Sequence, residues 1–437
     1  VIALTPAELL AIERAALLLG PLALAAVMVI MLRPNPREAT AAMVAFLWQL
    51  PALYLLHLLS VSQGWWSFPD ARNELSGLPI DVWIGWAIWW GPVAMLATRL
   101  ISPVVIVIAA VTLDVVSMPL LTPLVQVHDG WWMGEAAAVM ICLAPALTAA
   151  VLTRDDRLPA VRAVFHVLGW GGYLVLLIPA AVLSFEGGGL ADLWRLPTSP
   201  LDVALALAAS LLLFVGIAAT VEFATIGQGT PIPFDPPKRV VTTGPYAFVA
   251  NPMQIISALV MLLFAGYARS WGLALIAVSF AMFDAIYARW YNTGHIAHAM
   301  PEAWQRFSGE VPEWSFRWRP FVEGEAEVAI SRDGPARWVW DRLWRRACAG
   351  MTRGVHVRQR EAHDGLRLRY RRPNAGIDEK GMLAAARLLE HGPLPLAVLG
   401  WVMRFPPIGA VLQVVSGLAV CWWRRESSGQ SRRRVDE

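Results

Sequence analysis

Leu201-Asp-Val-Ala-Leu-Ala-Leu-Ala-Ala-Ser-Leu-Leu-Leu-Phe-Val-Gly-Ile-Ala-Ala-Thr-Val221 carries one charge, Asp202, among apolar and small side chains. Coiled as a helix, this stretch reaches roughly 31 Å at about 1.5 Å per residue, enough to cross a hydrocarbon core of about 30 Å. A helix satisfies its own backbone where no water can, so the run reads as a transmembrane span. Comparable runs are Ile12–Leu32, Ala39–Val61, Leu78–Ala97, Ile101–Leu121, Met133–Leu152, Ala160–Leu183, Ile255–Tyr267 and Trp271–Tyr287, the seventh of these being short. The count is about nine spans. No small-residue cleavage site follows the first run and many others come after it, so it reads as a span and not as a removable signal peptide.

Composition agrees. Of 437 residues, 57% are hydrophobic and 16% charged, with mean hydropathy +0.51, against about 45–50% apolar and about 25% charged for soluble domains. An ordinary cytosolic enzyme is excluded on that balance, and the spread of 22 Trp and 31 Pro excludes a coiled coil. Cys142, Cys348 and Cys421 are too far apart in sequence to suggest a disulfide framework or a metal cluster. A net charge of +3 implies no nucleic-acid partner.

Lys and Arg beside spans are retained on the cytoplasmic side. With nine spans and the N-terminus outside, the inner loops hold Arg33, Arg37, Arg99, Arg154, Arg157, Arg162, Lys238 and Arg239, and the outer loops only Arg72, Arg195 and Arg269. The expectation is an integral membrane protein with its N-terminus outside and its C-terminus in the cytoplasm. The loop Gly229–Pro245 and the polar chain after Tyr291 then share the cytoplasmic face.

After Phe321 the charges become mixed. Val328–Ile330 and Val355–Arg358 read as strands and Ala336–Arg346 as a helix, a small soluble α/β segment. Leu394–Met403 and Ile408–Trp423 are apolar but split by Arg404, Pro406 and Pro407, so packed or interfacial helices are expected ahead of a tenth span. Residues 424–437 read as a disordered tail. The fold class expected is an all-α polytopic membrane protein with this α/β appendage. Its parts would be residues 1–190 (six spans), 191–320 (a second membrane core), 321–423 (the α/β segment) and the tail.

The stretch richest in chemical information is Gly229-Thr-Pro-Ile-Pro-Phe-Asp-Pro-Pro237, followed by Val240-Val-Thr-Thr-Gly-Pro-Tyr246 and Val249-Ala-Asn-Pro-Met-Gln254. Proline at this density forbids regular helix and fixes φ. Irregular backbone at a membrane face is tolerated where it is buried in protein or lines a polar cavity; a stiff turn between spans is the plainer reading. These motifs, with Glu302-Ala-Trp-Gln-Arg-Phe-Ser-Gly-Glu-Val-Pro312 downstream, resemble the isoprenylcysteine carboxyl methyltransferase-like family of integral-membrane methyltransferases over about Val221–Pro320. The resemblance implies an S-adenosylmethionine pocket open to the cytosol and methyl transfer to a lipophilic, membrane-dissolved acceptor. It assigns Gly244, Tyr246, Asn251, Pro252, Met253 and Gln254 to that pocket, with Tyr291 and Asn292 near the positions of the family's paired Glu. The chain departs from the family at Ala250, where an Arg is usual, and at the Glu pair. Alanine cannot replace a guanidinium's fixed charge and donors.

A sulfonium methyl is already activated, so such a reaction needs mainly proximity and orientation, and aromatic faces attract the cation. Trp290, Tyr291 and Trp304 are candidates for an aromatic wall, with interfacial anchoring as the alternative. No residue stands out as a catalytic acid or base. Intramembrane acids mark further candidates: Asp114 and Asp284 for a lined cavity, Asp81 and Glu222 as solvated span ends. His295 and His298 share a helix face, yet no third ligand accompanies them and no metal is expected.

In the first six spans, Asn73–Trp86 and His128–Glu135 set acids beside aromatics. They faintly resemble membrane carotenoid-modifying proteins, which implies as an alternative function an acid-catalysed modification of an isoprenoid through Glu74 or Asp114. From Glu327 to about Val420 the chain resembles a degenerate member of the thiol-disulfide oxidoreductase family named for its Asp-Cys-Cys motif, a thioredoxin-like segment. The resemblance rests on Val328-Ala-Ile330, Gly381–Glu390 and Gly400–Pro406. Asp333-Gly-Pro-Ala336 stands where that family has its cysteines. Exchange needs a thiolate, so the segment is expected to act as a scaffold or docking surface. A third possibility is that the whole chain is a non-catalytic membrane scaffold.

Overall fold

The computed structural model describes residues 5–69, 73–230, 237–331, 354–360 and 368–418. Its described residues fall into two compact units, one built mainly of residues 5–196 and the other of 197–230, 237–267 and 274–418. Among the described residues eight helices are long and apolar enough to cross a membrane.

Six of these build the first unit: α1 (Pro6–Leu32), α2 (Pro36–Gln63), α3 (Ile80–Ala97), α4 (Pro103–Leu120), α5 (Trp131–Arg154) and α6 (Pro159–Phe185). Local chemistry sets several starts. Thr5 with Glu8, and Asn35 with Glu38, form capping boxes ahead of a first-turn proline, which satisfy donors that the first helical turn leaves open. Helices α3, α5 and α6 each contain a π turn, at Trp89–Val93, Val139–Leu143 and Tyr173–Leu177. Pro92, Pro145 and Pro179 lie in or just after these turns, and a residue without N–H cannot continue the i→i−4 ladder. α1 and α3 approach so closely that a Cβ on Gly85 would lie 1.9 Å from the Leu17 carbonyl oxygen.

Arginines gather three of the connections at one end of this unit. Arg99 donates to the Leu32 carbonyl at 2.7 Å and lies 3.4 Å from Glu38, while Arg37 and Arg162 pair with Asp156 at 3.2 and 3.4 Å. The α2–α3 and α4–α5 connections instead join through β1 (Trp66–Ser67), which pairs antiparallel with β4 (Gln126–Val127). Between them, β2 (Glu74–Leu75) and β3 (Leu78–Pro79) form a tight hairpin. Three of the expected inner loops are thus held together, as are two of the expected outer ones.

The second unit begins with α7 (Pro200–Thr225), followed by α8 (Pro252–Ala268) and α9 (Trp271–Ala299). α8 is the short eighth run of the sequence; at roughly 25 Å it falls below the length of the others. α9 contains a fourth π turn, Asn292–Ile296, with no proline in it. After α10 (Pro301–Glu310) comes a four-stranded sheet of β5 (Ala326–Ser331), β6 (Val355–Arg360), β7 (Leu368–Arg372) and β8 (Ile377–Lys380), in the order β6-β5-β7-β8. β5 runs parallel to β6 and antiparallel to β7, with Val328 opposite both Val357 and Tyr370. α11 (Met382–Leu389) and α12 (Leu394–Arg404) follow.

Both strands read from the sequence therefore exist, while the expected helix Ala336–Arg346, Asp333–Ala336, Cys348 and the tail lie outside the described residues. α12 and the next helix, Pro406–Leu418, meet at 83°, because Pro406 and Pro407 cannot extend α12. α12 is a packed helix: Ala397 and Trp401 are buried, and Trp401 meets Phe248 edge-on at 5.5 Å.

Candidate functional site

The residues singled out by the proline-rich motif separate into two groups within the second unit. Residues 231–236 of that motif lie outside the described residues, while everything from Pro237 to Gln254 is placed. Residues 241–252 are buried throughout.

The first group surrounds Glu222, on the last turns of α7. Its carboxylate is fully buried and lies 2.5 Å from Arg387 Nη1 and 2.7 Å from Arg404 Nη2, and it accepts from Thr243 Oγ1 at 2.5 Å. Arg387 also meets Glu379 at 3.0 Å and Glu390 at 3.2 Å, and Arg404 meets Glu390 at 2.7 Å. Burial opposes the charge on Arg387, but Glu222, Glu390 and Glu379 outweigh it and hold the guanidinium protonated. The solvated span end expected for Glu222 is thus corrected: it is fully buried, and two arginines from the helices after the sheet neutralise it.

Gly244 and Tyr246 belong to this group. Gly244 has φ +58°, and a Cβ there would lie 2.5 Å from Glu222 Cγ, so both conformation and space require glycine. Tyr246 packs on Phe223 and in the apolar cluster with Val328, Tyr370 and Leu388. Its hydroxyl is buried with no hydrogen-bond partner, and burial together with the Glu222 charge pushes its pKa well above the usual tyrosine value. Beside Thr243 and Gly244 lies a crevice walled by Tyr370, Arg372, Arg387, Glu390 and His391, with room for about one water molecule. Tyr370, bonded to His391 Nε2 at 2.8 Å, has its pKa pushed up to about 12 by burial. This end of the motif is filled by protein.

The second group is centred on Asn251. Its Oδ1 accepts from Asn292 Nδ2 at 3.2 Å, both side chains being buried. Asn292 opens the proline-free π turn of α9, and such turns are frequent at functional sites. Asn251 Nδ2 donates to the Glu313 carbonyl at 3.3 Å, and the neighbouring Ala250 N–H donates to Pro312 O at 3.0 Å. The chain after Pro312 runs on beside the motif, with Arg317 N bonded to Phe248 O at 3.0 Å and Phe321 N to Ala247 O at 2.7 Å. The downstream Val-Pro pair noted in the sequence is therefore laced to the Asn-Pro motif by backbone.

Pro252 is buried at the start of α8, Met253 Sδ receives the Thr220 hydroxyl at 3.5 Å, and Gln254 is half-buried. Tyr291 stacks on Tyr287 at 5.9 Å and on His295 at 5.2 Å, and Trp290 meets His295 edge-on at 5.0 Å. Trp290 and Tyr291 thus share one aromatic patch. Trp304 packs instead into the cluster of Ala250, Phe307, Val311 and Phe321. Among the described residues no three His, Cys, Asp or Glu side chains are grouped to hold a metal.

In the first unit, Asp81 keeps part of the exposure expected of a span end, its side chain being 27% exposed, and Arg14 also grips both its oxygens, at 2.7 and 2.9 Å. Glu74 is exposed on β2. Asp114 lines a cavity, and Asp284 is half-buried on α9. Sequence reasoning named Glu222, Asn251 and Asn292 but not the bond between the two amides, and it missed Arg387 and Arg404; the i, i+3 spacing of Arg387 and Glu390 on one helix face was the available signal.

No family model matches the chain, and neither a curated protein nor a solved structure does.

Proposed function

We propose that the second unit transfers a methyl group from S-adenosylmethionine to a hydrophobic acceptor dissolved in the membrane. The observation that carries this reading is the buried Asn251–Asn292 hydrogen bond. It ties the Asn-Pro-Met motif to the π turn of α9, the two segments to which the family resemblance assigns the cofactor. The residues fit such a ligand in kind: two amides offer donors and acceptors, and the rings of Tyr287, Tyr291 and His295 offer π faces to a sulfonium. Glu222 is engaged by Arg387 and Arg404, so amide oxygens and backbone carbonyls are the groups left to meet the cofactor's ammonium.

Bound there, S-adenosylmethionine would supply an activated methyl. The chain's own part is to orient the cofactor through Asn251 and Asn292 and to keep water from it with the packed 241–252 segment. Orientation is the main source of rate in such a displacement.

In this reading the protein lies in a bacterial inner membrane with its N-terminus outside, α8 counting as a crossing, and the arginine-bound end of the first unit faces the cytoplasm. The mixed sheet followed by α11 and α12 supports the thioredoxin-like reading of the C-terminal segment. The buried Arg387 and Arg404 suit its use as a docking element, since they bind Glu222.

The test is transfer of label. Purified protein in liposomes made from a total bacterial lipid extract is incubated with S-adenosylmethionine tritiated in the methyl group, and the hexane-extractable fraction is counted. Label that enters that fraction with wild type and falls at least tenfold with Asn251→Ala supports the proposal. Equal label in the two, or none in protein shown to be folded, overturns it.

A further inference from the structure

The first unit contains a cavity of about 300 Å³ between α1, α3 and α4, at the lower end of the range for small-molecule pockets. Its walls are apolar, with Leu17, Phe68, Trp86, Trp89 and Met118 among them, and they carry one ionisable group, Asp114. Asp114 Oδ2 is buried and has no hydrogen-bond partner. Asp114 thus stands on an apolar cavity wall, and among the described residues no arginine, lysine or other donor satisfies its buried oxygen.

Two other acids of the molecule are paired with arginine. Asp81, one helix away, is held by Arg14 at 2.7 Å, and Glu222 by two arginines. An unpaired ionised carboxylate inside a membrane is costly and marks function by default. What Asp114 lacks is a positive charge, and the cavity beside it admits one only on an apolar body. Trp86 and Trp89 add ring faces, which attract cations. Leu113, beside Asp114, is 46% exposed on the face of α4, so a ligand can reach the cavity sideways from the bilayer.

We propose that this cavity binds a lipophilic amine, its ammonium set against Asp114 and its chain among the apolar side chains of α1, α3 and α4. The site is separate from the one assigned to methyl transfer and does not depend on it.

The test uses two probes of equal chain length, tritiated 1-dodecylamine and 1-dodecanol, with the full-length protein in nanodiscs of uncharged phosphatidylcholine at neutral pH. One amine is expected to bind per chain, saturably and at least tenfold more tightly than the alcohol. Asp114→Asn should remove most of that preference. Gly20→Leu provides a steric arm, because Gly20 lines the cavity and a Cβ there meets nothing within 4 Å, so the larger side chain fills the space and should weaken the amine. Each variant's thermal unfolding is measured alongside. Equal affinity for amine and alcohol, or amine binding unchanged in a folded Asp114→Asn protein, would overturn the proposal.

Discussion

Glu222 Oε1 and Arg387 Nη1 lie 2.5 Å apart, the glutamate fully buried and the arginine side chain 4% exposed. One comes from an apolar helix and the other from the polar segment more than 150 residues further along the chain, so this contact fastens two kinds of structure to each other. Breaking a buried pair by removing one partner costs about 3–5 kcal/mol, since the other charge stays buried. Glu222→Ala should therefore lower stability by about that much, measured by equilibrium unfolding in mixed micelles. Replacing Glu222, Arg387 and Arg404 together with Leu, Met and Met should recover most of it, because no charge is then stranded. A single substitution without effect would show that the network is not built as described.

Gly244 sits against the same carboxylate. Gly244→Ala adds a Cβ at 2.5 Å from Glu222 Cγ in a backbone with φ +58°. The left-handed conformation alone costs a non-glycine residue about 1–2 kcal/mol, and displacement of Glu222 adds to that. Loss of stability at least that large is expected, with no further loss when Glu222→Ala is already present beyond the backbone cost.

Tyr246 gives the opposite expectation. Its hydroxyl is buried without a partner, and a polar group left unsatisfied costs about 1–3 kcal/mol. Tyr246→Phe should thus leave stability unchanged or raise it. If cofactor affinity falls in the same variant, the hydroxyl is a ligand contact; if affinity holds, Tyr246 is packing alone.

In the first unit, Arg14 grips Asp81 with two parallel bonds. Arg14→Met strands the acid between α1 and α3 and should lower the thermal midpoint more than the double variant Arg14→Met, Asp81→Leu. Equal losses would mean that packing, not the charge pair, holds the two helices there.

Much of this architecture was legible in the sequence because a membrane span must be long and apolar, a one-dimensional property. Eight of the runs read from residue type are helices of crossing length, and α8 was already marked as short. β5 and β6 were legible from their alternating apolar residues. Pairing was not legible. Nothing in the order of residues said that Asp81 would find Arg14 or that Glu222 would find Arg387 and Arg404, because these partners lie on elements distant in sequence and only the tertiary fold brings them together. The acids near span ends consequently looked like solvated groups.

The candidate site shows the same division. Its motif residues could be named from spacing and resemblance, but their separation into a filled region around Gly244 and Tyr246 and an amide pair around Asn251 depends on where α11, α12 and the π turn of α9 fall. Asn292 was selected for its position near the family's glutamates, and its hydrogen bond to Asn251 emerged only in three dimensions.

The central claim is that Asn251 and Asn292 jointly hold S-adenosylmethionine. Its most direct test is equilibrium binding of that molecule to the detergent-purified full chain, with Asn251→Ala, Asn292→Ala and the double variant. The account predicts saturable binding that each single substitution weakens at least tenfold, about 1.4 kcal/mol, with the double variant little worse than either single one because the two amides act as a unit. Absence of binding to folded wild-type protein, or binding indifferent to both substitutions, would contradict it.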